Sequence, residues 1–292
     1  MAKVSTQVEF YQGTKANLFR IIRTPKQIRA HLLFIAPLFE QANQTRHHVT
    51  RSAMNAYHQG IQSIVFDHYG TGDSQGELID ASLSLWQQDI LKQLLELKKH
   101  SNQAVYLSLP LSAVLLLSNE IVQQLDGVML LQPNFKGKRF IQQFKRLALA
   151  ANLTQSHNAK EAVTVAKPIV EIAGYLITPH LLDELAGQSL TKLADFTLDS
   201  YWFEWLGGAE VLSLGRAKQQ EEFARKNDKL WVTNIDDVKF WQATELQVAS
   251  TFLTQERVAF SQIVTYKSAS NKALNAELQQ AFNPKVAHEL KR

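Results

Sequence analysis

Short apolar runs alternate with amphipathic stretches along the first half of the chain. Buried strands are predicted where Leu, Ile and Val cluster, at 30–37, 61–67, 104–109 and 126–133. Between these runs apolar residues recur every three or four positions, most clearly over 80–100, and predict helices. A turn at Gly13 between two strand-like runs predicts an opening hairpin. We therefore expect an α/β fold with a mostly parallel central sheet and helices on both faces.

The pattern changes after Pro133. Residues 134–190 show mainly the spacing of helices, whereas strand-like runs resume at 196–206, 210–214 and 229–234. We predict that a helical cap insertion at 134–190 interrupts one core, which comprises 1–133 and 191–264. The last segment, 265–292, is polar and is predicted to be a loose helix or disordered.

Composition excludes several kinds of chemistry. The 292 residues include no cysteine, which rules out disulfides, thiolate catalysis and cysteine-bound zinc. The N-terminus has no signal-peptide pattern and no apolar run is long enough to span a bilayer, so we expect a cytoplasmic protein. A net charge of +4 is too small to indicate nucleic acid as a partner. We also expect no cofactor and no metal.

A glycine-rich turn follows the strand that ends at Asp67. Its sequence, FDHYGTGDSQGE at 66–77, lacks the third glycine of a dinucleotide-binding turn and the Gly-Lys-Ser/Thr of a P-loop. A phosphate-binding loop remains one interpretation, since closely spaced glycines let backbone amides approach an anion. The favoured interpretation is a tight turn whose glycines have positive φ, with Asp73 and Ser74 capping it.

The stretch AVYLSLPLSAVLLL at 104–117 has the outline of a nucleophile turn. A strand-like run passes at Pro110 into a run that predicts a helix to about Gln124, and small residues, Ser108 and Ser112, flank Pro110. A serine nucleophile at such a turn needs a strained backbone. Proline has no nucleophilic atom, and its ring holds φ at about −65°. We therefore predict an ordinary strand-to-helix junction in which Ser108 and Ser112 pack or cap.

The order of these motifs resembles the α/β-hydrolase superfamily. Asp67 and the GTGDS turn match the loop after its third core strand, 32–48 lies where its oxyanion loop lies, and 105–117 lies where its nucleophile lies. Five ordered segments are similar to exosortase A system-associated hydrolases of the second type: APLFEQANQTRH, FDHYGTGDSQGELIDAS, LLQPNFKGKRFIQQFKRLALA, EIAGYLITPHLLDEL and FWQATELQVAS. This narrower resemblance implies a role in exopolysaccharide production and protein sorting in Gram-negative bacteria.

The catalytic residues that the superfamily resemblance implies are missing. Nucleophilic hydrolysis needs a serine, a histidine base and a carboxylate that orients the base. Pro110 occupies the serine position, and no histidine follows the last strand until His288 in the polar tail. Trp241 lies where the base is expected, and the acid candidates, Glu204 and Glu210, have no histidine to orient.

Three other side chains are weaker candidates for catalytic or metal-binding residues. Ser213 precedes a helix-like run and is predicted to be its N-cap rather than a nucleophile. His47 and His48 could pair with Glu40 or Asp67 as a metal or acid–base site, but adjacent helical residues point in different directions, which favours surface or core roles.

Pocket residues are predicted where strands end. His68 is the best single candidate, because ligands of open α/β sheets bind outside the carboxyl ends of the strands. The other predicted pocket residues are Phe39, Glu40, Asn43 and Trp241.

A basic stretch opens the predicted cap. Its cations are Lys136, Lys138, Arg139, Lys145 and Arg146, and they alternate with Phe135, Phe140 and Phe144. The spacing predicts an amphipathic helix with a solvated basic face. The sharper alternative is a site for an acidic partner, such as a phosphate-bearing carrier, a nucleotide-sugar or an anionic lipid headgroup.

The residues therefore predict a catalytically degenerate protein with a hydrolase-like fold. Its expected role is that of an accessory factor in surface-polymer production that binds an acyl or acidic small molecule, or a protein partner, under the cap. Two alternatives remain open. One is an active ester or thioester hydrolase, or an acyltransferase, with a non-standard catalytic set; the other is a structural scaffold that binds a partner.

Overall fold

An eight-stranded sheet forms the centre of the protein. The computed structural model describes residues 4–152, 168–189, 197–206, 211–243 and 245–281. The strands of the central sheet are β1 (Thr6–Gln12), β2 (Asn17–Arg23), β3 (Ala30–Phe34), β4 (Ile61–Phe66), β5 (Ala104–Pro110), β6 (Gly127–Leu131), β9 (Asp199–Trp205) and β10 (Leu230–Ile235). A separate hairpin consists of β7 (Val170–Ile172) and β8 (Tyr175–Ile177).

Seven α-helices accompany these strands in the described ranges. They are α1 (Glu40–His58), α2 (Leu83–His100), α3 (Asn119–Val122), α4 (Gly137–Asn152), α5 (Pro179–Ala186), α6 (Leu214–Lys226) and α7 (Ser250–Ala281). None of the helices that the structure describes combines the length and apolarity needed to cross a bilayer.

The central sheet has the order β1-β2-β4-β3-β5-β6-β9-β10. Only the pairs β1–β2 and β2–β4 are antiparallel, so the predicted mostly parallel sheet is confirmed. Every residue of β3, β5, β6 and β9 is buried, which explains why these strands read as continuous apolar runs. Two clusters of buried side chains cover the faces of the sheet. The carboxyl ends of the parallel strands meet at one edge, where the candidate site lies.

The predicted cap contains a hairpin as well as helices. Between β6 and β9 the described chain forms α4, the β7–β8 hairpin and α5. Two residues, Ala173 and Gly174, connect the hairpin strands, and both have positive φ, 52° and 82°. This is the backbone that a tight two-residue hairpin turn requires. The hairpin was not predicted, because three-residue strands are too short to show alternation in the sequence.

Two further segments differ from the predictions, and a third, the tail, matches one of its two predicted alternatives. The helix predicted after Pro110 is a 3₁₀ segment, Leu111–Leu116, followed by the short α3, which Ser118 caps by accepting from the Ile121 N–H. The strand predicted at 210–214 is absent from its described part, since 211–213 is irregular and α6 begins at Leu214. The described part of the predicted tail continues α7 as a helix to Ala281.

Candidate functional site

The turn at the end of β5 contains a residue with left-handed backbone. Leu111 has φ 52°, whereas Pro110 is extended with φ −72° and ψ 137°. The prediction of an ordinary junction was therefore wrong for the backbone. The physical reason is that proline fixes its own φ and keeps the residue before it extended, so the chain must reverse one residue later. A leucine in this conformation costs about 1–2 kcal/mol, so the surrounding structure imposes it.

The side chain of Leu111 is buried in the cluster on one face of the sheet. The same cluster contains Phe203, Phe240 and Trp241. Trp241 contacts Trp205 edge-on, with ring centroids 4.8 Å apart. Trp241 is thus a core residue, and it does not line the pocket described below, contrary to the prediction. The strained turn and the loop after β10 both present apolar side chains.

Ser112 ties the strained turn to the loop after β3. Its Oγ accepts the backbone N–H of Leu38 at 2.8 Å and donates to Oε1 of Gln41 at 2.6 Å. The backbone N–H of Ser112 is directed at the same Gln41 oxygen, at 3.3 Å. Ser112 and Leu38 are both buried. The serine was predicted to pack or cap, and it satisfies a backbone donor of another loop, 74 residues away in the chain.

A cavity of about 380 Å³ lies beside the loop after β3, the loop that Ser112 contacts. Its walls come from the β3–α1 loop, from the turn after β4, from Trp86 of α2 and from Tyr175 of the cap hairpin. Three of the predicted pocket residues, Phe39, Asn43 and His68, line it. Two lining residues, Trp86 and Tyr175, were not predicted, because neither lies near the end of a strand of the central sheet.

Glu40 lies at the edge of this cavity. Its Oε2 accepts from the hydroxyl of Tyr175 at 3.2 Å and from Nδ2 of Asn43 at 3.4 Å. Tyr175 also packs its ring against Phe39, with centroids 5.7 Å apart. These contacts join the cap hairpin to the start of α1, so the cap forms one wall of the cavity.

The glycine-rich turn is wound around the carboxylate of Asp67. Oδ1 of Asp67 accepts a hydrogen bond from Arg46 at 2.8 Å, and Oδ2 of Asp67 accepts one from the backbone N–H of Asp73 at 2.9 Å. Ser74 Oγ donates to the Asp67 carbonyl at 2.6 Å. The predicted tight turn is confirmed, with positive φ at Gly70, Gly72 and Gly76. A Cβ at Gly72 would lie 2.1 Å from Asp67 Oδ2, so only glycine fits there.

His68 forms an uncharged part of the cavity wall. Its Nε2 donates to the Ala36 carbonyl at 3.1 Å, and its ring packs against Trp86. Burial lowers the pKa of His68 to about 4, so the imidazole is neutral at pH 7. A neutral imidazole that is held in one orientation can contact a ligand in the cavity through its ring face and its hydrogen bonds, but not through charge.

His47 and His48 hold the segment that precedes α7. His47 Nε2 bonds the Gln247 carbonyl at 2.8 Å, and His48 Nε2 accepts the backbone N–H of Ala249 at 2.8 Å. The His48 ring stacks on Phe240 at 3.8 Å between centroids, and burial lowers the pKa of His48 to about 4. Across the described ranges no cluster of three or more potential ligands could hold a metal ion. These histidines have structural roles.

The acid candidate Glu204 is enclosed in a hydrogen-bond network. Arg216 of α6 contacts both carboxylate oxygens, and Trp202 Nε1 donates to Oε2 at 2.8 Å. Gln132 Nε2 adds a bond at 3.1 Å. With these partners Glu204 joins β6, β9 and α6. The other candidate, Glu210, lies outside the described residues.

The two remaining serine candidates lie in structural positions. Ser108 is buried within β5, and its carbonyl accepts the Ile35 N–H at 3.0 Å. Ser213 precedes α6 as predicted, although its side chain makes no capping bond. The hydrogen bonds described for the chain pair neither serine, nor Ser112, with a histidine.

Comparison with known proteins identifies the architecture. No family model matches the chain, and no curated protein matches its sequence. Est1E of Butyrivibrio proteoclasticus, solved with bound ferulic acid, superposes with a TM-score of 0.60 at 13% identity over 89% of this chain and 99% of that one. The chain has the α/β-hydrolase fold. The esterase domain of a Rhodothermus marinus protein (TM-score 0.58, 16% identity, 90% and 98% covered) and the α/β hydrolase GrgF of a Penicillium species (0.57, 9%, 88% and 98%) agree.

In proteins of this fold, the turn after the strand equivalent to β5 belongs to the active site. In the α/β-hydrolase fold the nucleophile occupies the strained turn after this strand. The oxyanion donors are the N–H of the next residue and an N–H from the loop after β3. In this protein the left-handed residue after β5 is Leu111 rather than Pro110, Ser112 follows it, and Leu38 lies in the loop after β3. None of the three names above refers to exosortases, so the narrower resemblance stays a prediction.

Proposed function

We propose that this protein is a catalytically inactive α/β-hydrolase-fold protein that binds a small ligand under its cap. One observation carries the proposal. The N–H groups placed to stabilise an oxyanion, those of Leu38 and Ser112, are directed at acceptors of the protein itself, Ser112 Oγ and Gln41 Oε1. A carbonyl oxygen of a substrate would have to displace both. Electrostatic stabilisation of that oxygen is usually the largest contribution to this chemistry.

The residues at the other catalytic positions support the same conclusion. Leu111 has no nucleophilic atom, and buried Phe240 and Trp241 fill the loop where the base would lie. Loss of a triad member costs several orders of magnitude in rate.

The cavity wall favours an uncharged ligand with an apolar body. Phe39, Leu38, Leu78 and Trp86 provide the apolar surface. Arg46 is the one Lys or Arg among the described lining residues, and Asp67 already pairs with it at 2.8 Å. An acyl or aromatic group with a hydroxyl or amide therefore fits better than an acidic ligand, because an anion would have to compete with Asp67.

The biological role proposed here comes from the resemblance. We place the protein as an accessory factor in exopolysaccharide or exosortase-linked surface-polymer production in the cytoplasm, where it would bind an acyl group or a protein partner. The alternative, an active ester or thioester hydrolase or an acyltransferase, is compatible with the fold, since two of the similar structures are named as an esterase domain and a hydrolase.

Activity-based labelling tests the inactivity. The purified protein is incubated with a fluorophosphonate probe and with activated short-chain esters. We expect no labelling and no turnover. Labelling or turnover that disappears in Ser108→Ala, Ser112→Ala or Ser213→Ala would establish the active hydrolase instead.

A separate measurement tests the ligand. Octanamide and octanoate are titrated into the protein and followed by the intrinsic fluorescence of the tryptophans, since Trp86 lines the cavity. We expect octanamide to bind more tightly than octanoate and Ala42→Phe, which narrows the cavity, to abolish both signals. Ala217→Phe on α6, outside the cavity lining, is the matched control. Equal binding to wild type and Ala42→Phe would contradict the proposed pocket.

A further inference from the structure

The outward face of α4 carries a concentration of positive charge. The inward face of this helix is apolar: Phe140, Ile141 and Phe144 are buried, and Phe144 stacks on Phe39 at 4.3 Å between ring centroids. The exposed cations of the helix and of the residue before it form what we call the basic face: Lys136, Lys138, Arg139, Lys145 and Arg146. Because the apolar face is occupied by the protein core, the basic face is the surface that α4 offers to a partner.

No carboxylate of the described ranges pairs with these cations within 4.0 Å. The helix α4 itself, with the sequence GKRFIQQFKRLALAAN, contains no Asp or Glu. The five cations lie within eleven consecutive residues, 136–146, that include no carboxylate. Charge complementarity therefore points to an anionic partner.

The side chains exposed on the basic face indicate which class of anionic partner it can bind. Nucleic acid binding by stacking needs exposed aromatic side chains, but Phe135, Phe140 and Phe144 are each less than 10% exposed. A stable protein interface needs an apolar centre, whereas every exposed residue of α4 from 138 to 146 is charged or polar. An anionic bilayer needs only cations on a convex surface, each worth about 1 kcal/mol close to the membrane.

Apolar side chains of the cap hairpin lie beside the basic helix. The hairpin strand β7 contacts α4. Leu176 of the hairpin is 51% exposed and also lines the cavity, and Val170 is 36% exposed. Exposed aliphatic side chains close to cations are the combination that peripheral proteins use at the headgroup boundary.

We propose that the basic face of α4 docks the protein on a membrane surface that contains anionic lipids, and that the exposed Leu176 of the cap hairpin adds an apolar contact. Docking in this way would bring the cavity, to which Leu176 contributes, close to the lipid layer. An apolar ligand could then enter the cavity from the bilayer. The docking itself is independent of the proposed function, because its residues on α4 are separate from the cavity and from the turn after β5.

Vesicle flotation with the full chain tests the docking. Vesicles of phosphatidylcholine with or without phosphatidylglycerol are mixed with the protein and floated, at low and high salt. We expect flotation with phosphatidylglycerol at low salt only. The triple variant Lys138→Gln, Arg139→Gln, Lys145→Gln should lose about 100-fold in vesicle partitioning, at roughly fivefold for each cation removed. Leu176→Ser should weaken partitioning by a further several-fold, with the salt dependence unchanged.

A matched variant on α6 serves as the control. Lys218→Gln, Arg225→Gln, Lys226→Gln also removes two lysines and one arginine, all exposed, and lowers the net charge equally. We expect it to float like the wild type. Equal loss in both triple variants would overturn the proposal in favour of a general charge effect. Absence of wild-type flotation, or binding that is indifferent to phosphatidylglycerol, would overturn it too, whereas a failed ligand titration would leave it intact.

Discussion

The hydroxyl of Ser112 accepts a hydrogen bond from the backbone N–H of Leu38 at 2.8 Å and donates one to Gln41 Oε1. This bond joins the turn after β5 to the loop after β3, the two segments that form the oxyanion site in the α/β-hydrolase fold. The N–H groups of Leu38 and Ser112 are thus both directed at acceptors within the protein. The consequence is structural as well as chemical, because a buried donor left without an acceptor destabilises the fold.

Removal of this acceptor should destabilise the protein. Ser112→Ala leaves the buried Leu38 N–H without an acceptor and leaves Gln41 Oε1 with only the backbone N–H of residue 112, which costs about 1–3 kcal/mol in the free energy of unfolding. Urea denaturation followed by circular dichroism measures the change. Ser213→Ala is the control, because Ser213 is exposed and makes no capping bond. An equal effect of the two substitutions would show that the Ser112 bond adds nothing.

At Leu111 a glycine variant should be more stable than an alanine variant, the reverse of the usual order of stability. Both Leu111→Ala and Leu111→Gly remove a buried side chain, but glycine relieves the positive φ of 52°. We expect Leu111→Gly to be more stable than Leu111→Ala by about 1 kcal/mol. At Leu109, inside β5, alanine should instead be better than glycine by about 0.5–1 kcal/mol. Thermal and urea unfolding of the four variants tests this, and the same order at both positions would contradict the strained turn.

The pairing of Arg216 with Glu204 should contribute strongly to stability. Glu204 is 1% exposed, so Arg216→Ala leaves a buried carboxylate without its cation and should cost about 3 kcal/mol. Arg225→Ala on the same helix removes an exposed ion pair with Glu221 at 3.7 Å and should cost less than about 0.5 kcal/mol. Urea denaturation compares the two. A small effect at Arg216 would mean that Trp202 and Gln132 suffice to stabilise the carboxylate.

Acidification should destabilise the protein through His48. Burial lowers its folded pKa to about 4, below the usual value of 6.5, so the unfolded chain binds more protons between these values. Stability is therefore fully present above pH 6.5 and falls as the pH decreases toward 4, by at most about 1.4 kcal/mol per pH unit. His48→Gln keeps an acceptor for Ala249 and should flatten this slope in urea unfolding series. An unchanged slope would show that His48 is accessible to protons in the folded state.

Glu256 should have the opposite pH dependence. Burial in the contact between α7 and α1, beside Ser52 and Asn55, raises its pKa to about 8 from 4.5. The folded chain then binds more protons than the unfolded chain, so stability falls as the pH rises from about 4.5 to 8, by up to about 1.4 kcal/mol per pH unit. Glu256→Gln should be more stable than the wild type at pH 8 and close to it at pH 4.5. Equal stability at pH 8 would mean that the carboxylate ionises without cost.

Some site residues could be predicted because a polar side chain directly follows a predicted strand. His68 follows a strand, so its place at the carboxyl edge of the sheet follows from the topology. Trp241 was misplaced because a sequence gives the loop to which a side chain belongs but not the side on which it packs. Gln41 was missed because its partner, Ser112, lies 71 residues away, and no periodic pattern links them.

The amino-acid sequence by itself determined the mostly parallel sheet, the glycine-rich turn and the absence of a serine and a histidine at the expected catalytic positions. These depend on local spacing, on the φ requirements of glycine and proline, and on which side chains are present at all. Only the tertiary structure decided that the strain lies at Leu111 and that Ser112 Oγ and Gln41 Oε1 are directed at the backbone N–H groups of Leu38 and Ser112. The reason is that such bonds form between segments far apart in the chain, where the packing of the whole sheet sets the distance.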